Sequence, residues 1–172
     1  MNGLTQKQFV TLTPPAGQDN LADWDRLRQA LEQVLQAAVK IPYGVARRDY
    51  PVIRASDYQV TSTLCWVGDQ WQLWKVEPGD RHLSHYGLAA DLGSTTITVA
   101  LYDCNTGTQL EAQTGSNRQI AYGEDILTRI FYTKDAEDKR QELQRVTVES
   151  LNDLIDSVCC EAGVEPGQIS AL

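Results

Sequence analysis

Asp91 stands at the end of a strand-like run that begins at Tyr86, and Gly93, Ser94, Thr95 and Thr96 follow it almost at once. The residue types suit phosphate chemistry. Glycine lets a backbone approach a ligand closely, hydroxyls and outward-facing amides donate to phosphate oxygens, and a strand-end carboxylate can hold a hydrated magnesium ion. A plainer reading needs no ligand: Asp91 caps a turn, and Thr95 and Thr96 simply favour β structure. The surrounding elements decide between the two.

Ile97, Val99 and Leu101 alternate with Thr98, Ala100 and Tyr102, and "DCNTGT" supplies turn residues, with Asp103 as turn former. Tyr86 to Leu110 therefore reads as two strands and the start of a third, which holds Leu110, Ala112 and Thr114, in an antiparallel meander. "NRQIAYGEDILTRIFY" then turns helical, with Ile126, Leu127, Ile130 and Phe131 on one side. Asp125 and Arg129 lie four apart there, as an ion pair worth ~0.2–0.5 kcal/mol or as ligand contacts. The spacing predicts a longer helix capped by Asp135, burying Leu143, Val146, Leu151, Leu154, Ile155 and Val158 and ending at Gly163 and Pro166. "QISAL" begins another strand, an odd place for a complete domain to finish.

Upstream, "KQFVTLTPP" is extended and stopped by Pro14 and Pro15. A helix is expected next, capped by Asn20, with Asp23 in its first turn and an apolar stripe of Trp24, Leu27, Leu31, Val34, Leu35 and Ala38. Pro42 and Gly44 should end it. "VTSTLCWVGDQWQLWKVEPGD" is a hairpin signal: a two-residue Gly68-Asp69 turn of the glycine-first type pairs Val67 with Gln70, Trp66 with Trp71 and Leu64 with Leu73. The tryptophans read as core more than as a stacking platform, and "EPGD" closes the unit. The resulting division is an arm over 1–40, a small strand-rich unit over 41–83 and an α/β unit over 84–172.

At 172 residues and 42% hydrophobic composition the chain can bury a real core without staples. A net charge of −8 speaks against binding nucleic acid, whose partners carry clustered positive charge. No apolar stretch approaches the roughly 18 residues that cross a bilayer, so the expectation is a cytoplasmic protein with no membrane partner. Cys65, Cys104, Cys159 and Cys160 match no zinc or iron–sulfur spacing, and they read as small hydrophobes in a reducing compartment that bind no cluster.

"DLGSTT" inside a meander followed by a helix resembles the first phosphate loop of the ATPase superfamily shared by actin, the heat-shock chaperones and sugar kinases. More narrowly, "VEPGD", "YGLAADLGSTTITVALYDCNTG" and "NRQIAYGEDILTRI", in that order and at matching intervals, resemble the ATP-dependent reductive activators of corrinoid proteins. The arm and its "DWDRLRQAL" helix are similar to the linker that follows those proteins' ferredoxin module. The resemblance covers nearly the whole chain.

It implies an α/β fold (α+β overall): a three-stranded meander plus helices of an actin-like, ribonuclease-H-like ATPase lobe, preceded by a helical arm and a small β-hairpin unit. It implies a parent protein that uses ATP and magnesium to deliver a low-potential electron to the cobalt of an inactivated corrinoid protein in a methyltransferase system. A homodimer stays open. The family's iron–sulfur cluster belongs to an N-terminal module absent here, and the second phosphate loop would lie beyond Leu172. The chain is therefore expected to be a truncated fragment, inactive in isolation. Asp91 matches the family's metal-facing acid, and Gly93, Ser94, Thr95 and Thr96 match its phosphate loop, with Ser94 where threonine is usual. Asn117, Gln119, Tyr122, Gly123, Asp125 and Arg129 match a second motif, to which the resemblance attaches no chemical role. Arg118 replaces that motif's proline, which should leave the loop less rigid. Two rivals remain: an activator of the acyl-CoA dehydratase or reductase type, whose cluster-binding cysteines have no match here, and a non-catalytic interaction module that keeps the fold.

Overall fold

The computed structural model describes residues 4–17, 19–134 and 136–171. They divide into two compact units, Met1–His85 and Tyr86–Leu172. The first contains β1 (Thr5–Thr11), α1 (Asp23–Leu35), β2 (Val39–Lys40), α2 (Tyr43–Asp49), α3 (Val52–Ala55), β3 (Gln59–Val67) and β4 (Gln70–Pro78). The sheet order is β1-β3-β4-β2, so the strand of the arm is hydrogen-bonded into the same sheet as the hairpin.

The hairpin has the register that a two-residue turn dictates. Val67 faces Gln70, Trp66 faces Trp71, and Leu64 faces Leu73. Gly68 takes φ 68° while Asp69 is not among the positive-φ residues, which is the glycine-first turn. Leu64, Trp71 and Leu73 enter the core, and the Trp66 and Trp71 rings meet edge-on at 5.2 Å. The irregularity between Thr63 and Leu64 breaks strict alternation, and Trp74 stays exposed.

Local signals at the ends of α1 lose to tertiary pairing. The helix starts at Asp23 after Ala22, which makes no side-chain cap, so Asn20 is not its cap. Asp19 instead accepts from the Leu21 N–H at 2.9 Å and pairs with the buried Arg26, while the Asp23 carboxylate accepts from Arg54 Nε at 2.6 Å. Leu27 and Leu31 are fully buried and Trp24 and Leu35 pack beside them, but Val34 and Ala38 are exposed. The helix ends at Gln36 in the left-handed region (φ 51°), ahead of Pro42 and Gly44. Those two open α2 instead, with Pro42 at its N-cap, because β2 intervenes and pairs in parallel with β4.

The second unit contains β5 (Tyr86–Leu92), β6 (Thr96–Asp103), β7 (Thr108–Ser116), a 3-10 turn (Arg118–Tyr122), α4 (Ile126–Thr133), α5 (Glu137–Ala162) and β8 (Ile169–Ala171). The sheet order is β7-β6-β5-β8, with the meander antiparallel and β8 joining β5 in parallel. The return to a parallel strand needs a crossover, and α5 supplies it. Ile97, Val99 and Leu101 of β6 and Leu88 of β5 form a core with Val158, Cys159 and Val164, flanked by the partly buried Leu151, Leu154 and Ile155. Gly163 ends α5 at φ 66°, as the sequence indicates. Asp135, the expected cap of that helix, lies outside the described residues. Cys159 is buried and Cys160 exposed on adjacent helix positions, while Cys65 and Cys104 are partly buried, so the reading of the cysteines as small core hydrophobes holds fully for Cys159 and not for Cys160.

Candidate functional site

Asp91 is the penultimate residue of β5, opposite Thr98 on β6, and Gly93, Ser94 and Thr95 make the turn from Leu92 into Thr96. Asp91, Ser94, Thr95 and Thr96 are all exposed, so the acid and the hydroxyls stand together at one end of the meander. The turn is tight. A Cβ on Gly93 would lie 2.5 Å from the backbone oxygen of Thr96, a distance that no side chain could occupy without moving the loop.

The second motif supports this turn. Asn117 is 5% exposed and binds the loop twice: its Nδ2 donates to Gly93 O at 3.0 Å and its backbone N–H donates to Thr95 O at 2.8 Å. Its Oδ1 accepts from the Gln119 N–H at 3.0 Å, which caps the 3-10 turn. Gln119 reaches α5, donating from Nε2 to Leu143 O at 3.1 Å and to Thr147 Oγ1 at 2.6 Å. Its Oε1 accepts from Arg129 Nη1 at 3.3 Å, and Arg129 Nε donates to Gly123 O at 2.8 Å. One connected set of hydrogen bonds thus runs from the loop to α4 and α5.

Asp125 and Arg129 do not form the ion pair that their spacing suggests. Asp125 is the N-cap of α4, accepting from the Thr128 N–H at 2.8 Å and from Thr128 Oγ1 at 3.0 Å. Those bonds hold its carboxyl below the usual range. Gly123 takes φ 151°, and its hypothetical Cβ would lie 2.8 Å from Thr128 Cβ, so the entry to α4 is closed to other residues. Tyr122 and Tyr132 both donate to Glu142, through Oε1 and Oε2 at 3.0 Å each, and this acceptor raises the pKa of both phenols.

Arg118, which stands in place of the motif's proline, gains contacts of its own. Its backbone N–H donates to Ser150 Oγ at 3.3 Å, a bond that proline cannot make, and its guanidinium pairs with Asp153. Sequence reasoning missed the partners on α5: Glu142, Thr147 and Ser150. The available signal was that Thr147 and Ser150 carry hydroxyls within an otherwise apolar stripe on that helix.

The residues present fit a magnesium–nucleotide phosphate group: an exposed carboxylate and three exposed hydroxyls, carried on a turn that Gly93 lets close tightly on Thr96 O. Among the described residues no three metal-ligating side chains come together, so Asp91 could hold magnesium only with water and phosphate as the remaining ligands.

A family model described as the RACo middle region matches residues 86–172, and one described as the RACo linker region matches residues 1–82. The chain belongs to the corrinoid reductive activator family. Among its relatives is the corrinoid activation enzyme RamQ of Eubacterium limosum, 32% identical over 84 residues, which are 49% of this chain and 14% of that protein. A solved structure titled reductive activator for corrinoid, iron–sulfur protein matches with a TM-score of 0.82 at 26% identity, over 96% of this chain and 26% of that one. The chain thus spans about a quarter or less of the length of these two relatives. Among the described residues, no helix is long and apolar enough to cross a membrane.

Proposed function

We propose that this chain serves as the linker and middle portion of an activator that uses ATP to drive transfer of a low-potential electron to the cobalt of an inactivated corrinoid protein. The observation that carries this reading is the exposed Asp91–Thr96 turn, held by Asn117, within a chain of the corrinoid activator family. Asp91 would hold magnesium through water, Gly93 would let the turn close on Thr96 O, and Ser94, Thr95 and Thr96 would donate to phosphate oxygens. Bound magnesium would supply charge neutralisation at the phosphates. The chain's own residues do the positioning. Asn117 fixes the carbonyls of Gly93 and Thr95, which leaves the hydroxyl-bearing side of the turn free for the ligand.

In the intact activator, Asp91→Ala should eliminate ATP-supported corrinoid reduction while the fold persists. Full activity in that variant would remove the phosphate-loop assignment. On the chain alone, magnesium–ATP at one hundred times its dissociation constant should stabilise the fold by about 2.7 kcal/mol. No thermal shift at saturating nucleotide would favour an interaction module that retains the fold without the ligand.

A further inference from the structure

A cavity of about 330 Å³ adjoins the loop, lined by Gly93, Ser94 and Asn117 together with Arg129 and Ile130 of α4 and Thr147 of α5. Arg129 is the unusual member. It is 5% exposed, and its Nη2 is buried without a hydrogen-bond partner. Its two bonded partners, Gly123 O and Gln119 Oε1, are both neutral. None of the ion pairs among the described residues includes it, and Asp125, whose carboxylate feels the Arg129 charge through space, is hydrogen-bonded to Thr128 instead. A guanidinium remains charged at any ordinary pH, and a buried cation served only by neutral acceptors is left short of compensating charge.

We propose that this cavity binds a phosphate-type oxyanion, with Arg129 as its counter-cation and the exposed Ser94 hydroxyl as a second donor. Arginine matches such ligands because its planar fork presents paired N–H groups to an oxyanion. The cavity shares Gly93 and Ser94 with the proposed phosphate loop, whereas Asp91, Thr95 and Thr96 do not line it. The proposal therefore deepens the phosphate-loop reading and shares Ser94 with it, but its counter-cation, Arg129, is a side chain that reading does not use. The ligand has two sources, free phosphate or the terminal phosphoryl group of a nucleotide.

The test is titration of the full chain with inorganic phosphate, magnesium–ADP and magnesium–ATP, against chloride at matched ionic strength, read by calorimetry and by the Arg129 Nε–H resonance. Phosphate should bind and shift that resonance while chloride does not. Arg129→Gln should weaken phosphate at least tenfold, about 1.4 kcal/mol, and Arg129→Lys should restore part of the loss. Ser94→Ala, at an exposed position, should weaken phosphate by a smaller factor, and it keeps the test open if Arg129→Gln does not fold. Displacement of phosphate by magnesium–ATP but not by magnesium–ADP identifies the terminal phosphoryl group, and displacement by neither identifies free phosphate; both support the site. No phosphate binding into the tens of millimolar, or equal binding by wild type and a folded Arg129→Gln, overturns it. Asp91→Ala reads the loop assignment separately through magnesium–ATP. Asp91-dependent nucleotide binding without phosphate binding would reject the cavity alone, and the reverse pattern would reject the loop alone.

Discussion

Asn117 is where the support of the loop can be tested by a single substitution. Asn117→Ala removes the Nδ2 bond to Gly93 O and the Oδ1 acceptor for the Gln119 N–H, both 3.0 Å long, and leaves the backbone bond to Thr95 O in place. Loss of the cap costs about 1 kcal/mol, and loss of the bond to the half-buried Gly93 carbonyl costs about another 1 kcal/mol. The sum, about 2 kcal/mol, corresponds to a fall in melting temperature of ~4–8 °C for a chain of this size. Asn117→Asp separates the two contributions. It keeps the capping acceptor but turns a carboxylate oxygen towards Gly93 O, so the loop loses its clamp and a phosphate ligand meets a negative charge. Calorimetric melting, together with magnesium–ATP titration, should give nucleotide affinity in the order wild type, then Ala, then Asp. A melting temperature unchanged within a degree in Asn117→Ala, with nucleotide affinity also unchanged, would refute the claim that this side chain holds the loop.

Gly93→Ala should fold with a displaced loop and lose nucleotide response, because its methyl would meet Thr96 O at 2.5 Å; normal magnesium–ATP binding by this variant would show that the turn is not tight in solution. Trp71→Ala should cost about 3–5 kcal/mol as a core truncation, while the 54% exposed Trp74 should tolerate Ala within about 0.5 kcal/mol; equal effects in urea melts would contradict the hairpin register. Arg118→Pro should lower stability by about 1 kcal/mol through loss of its N–H bond to Ser150, and a stabilised variant would contradict that bond. Acid titration of the first unit follows from Glu77 and Asp49. Burial pushes both carboxyls up, but Lys7 and Lys75 around Glu77, and Arg48 with the Val76 N–H at Asp49, bring both below their ordinary values. With lowered folded-state values, their stabilisation is complete above about pH 4.3 and is lost as pH falls through the folded pKa values. Glu77→Gln and Asp49→Asn should each flatten that acid loss, and unchanged slopes of stability against pH would contradict the pairing.

The parts legible in the sequence were those fixed by local geometry. A two-residue glycine-first turn leaves one register for its strands, and the order of Leu64, Trp66, Trp71 and Leu73 followed without knowledge of the rest. The meander was legible because alternation and turn residues recur on the scale of a single hairpin. The start of α1 was not, because Asp23 is claimed by Arg54, a partner set by the tertiary fold, and Asp19 by Arg26 of the helix itself. The orientation of α4 ran against its composition. Ile126, Leu127, Ile130 and Phe131 are 55–71% exposed, while the charged Arg129 is the buried residue of that helix. Hydrophobic periodicity finds such a helix but cannot orient it when an arginine finds acceptors at Gly123 and Gln119 inside.

That inversion also explains why the residues of the second motif had no assignable role one by one. Asn117 touches the loop, Gln119 joins Asn117 to α5, Arg129 joins Gln119 to Gly123, and Asp125 fixes the start of the helix that carries Arg129. No pair of them makes a site, whereas together they set the position of Gly93 O. In a partly buried network each removed member leaves the next without a partner, so the effects of substitutions should not add. Gln119→Ala and Arg129→Gln combined should therefore change stability by less than the sum of the two single variants, because each already breaks the bond that joins them. A double-mutant cycle on thermal stability would show a coupling energy of about 0.5 kcal/mol or more; strict additivity would mean that the motif supports the loop through Asn117 alone.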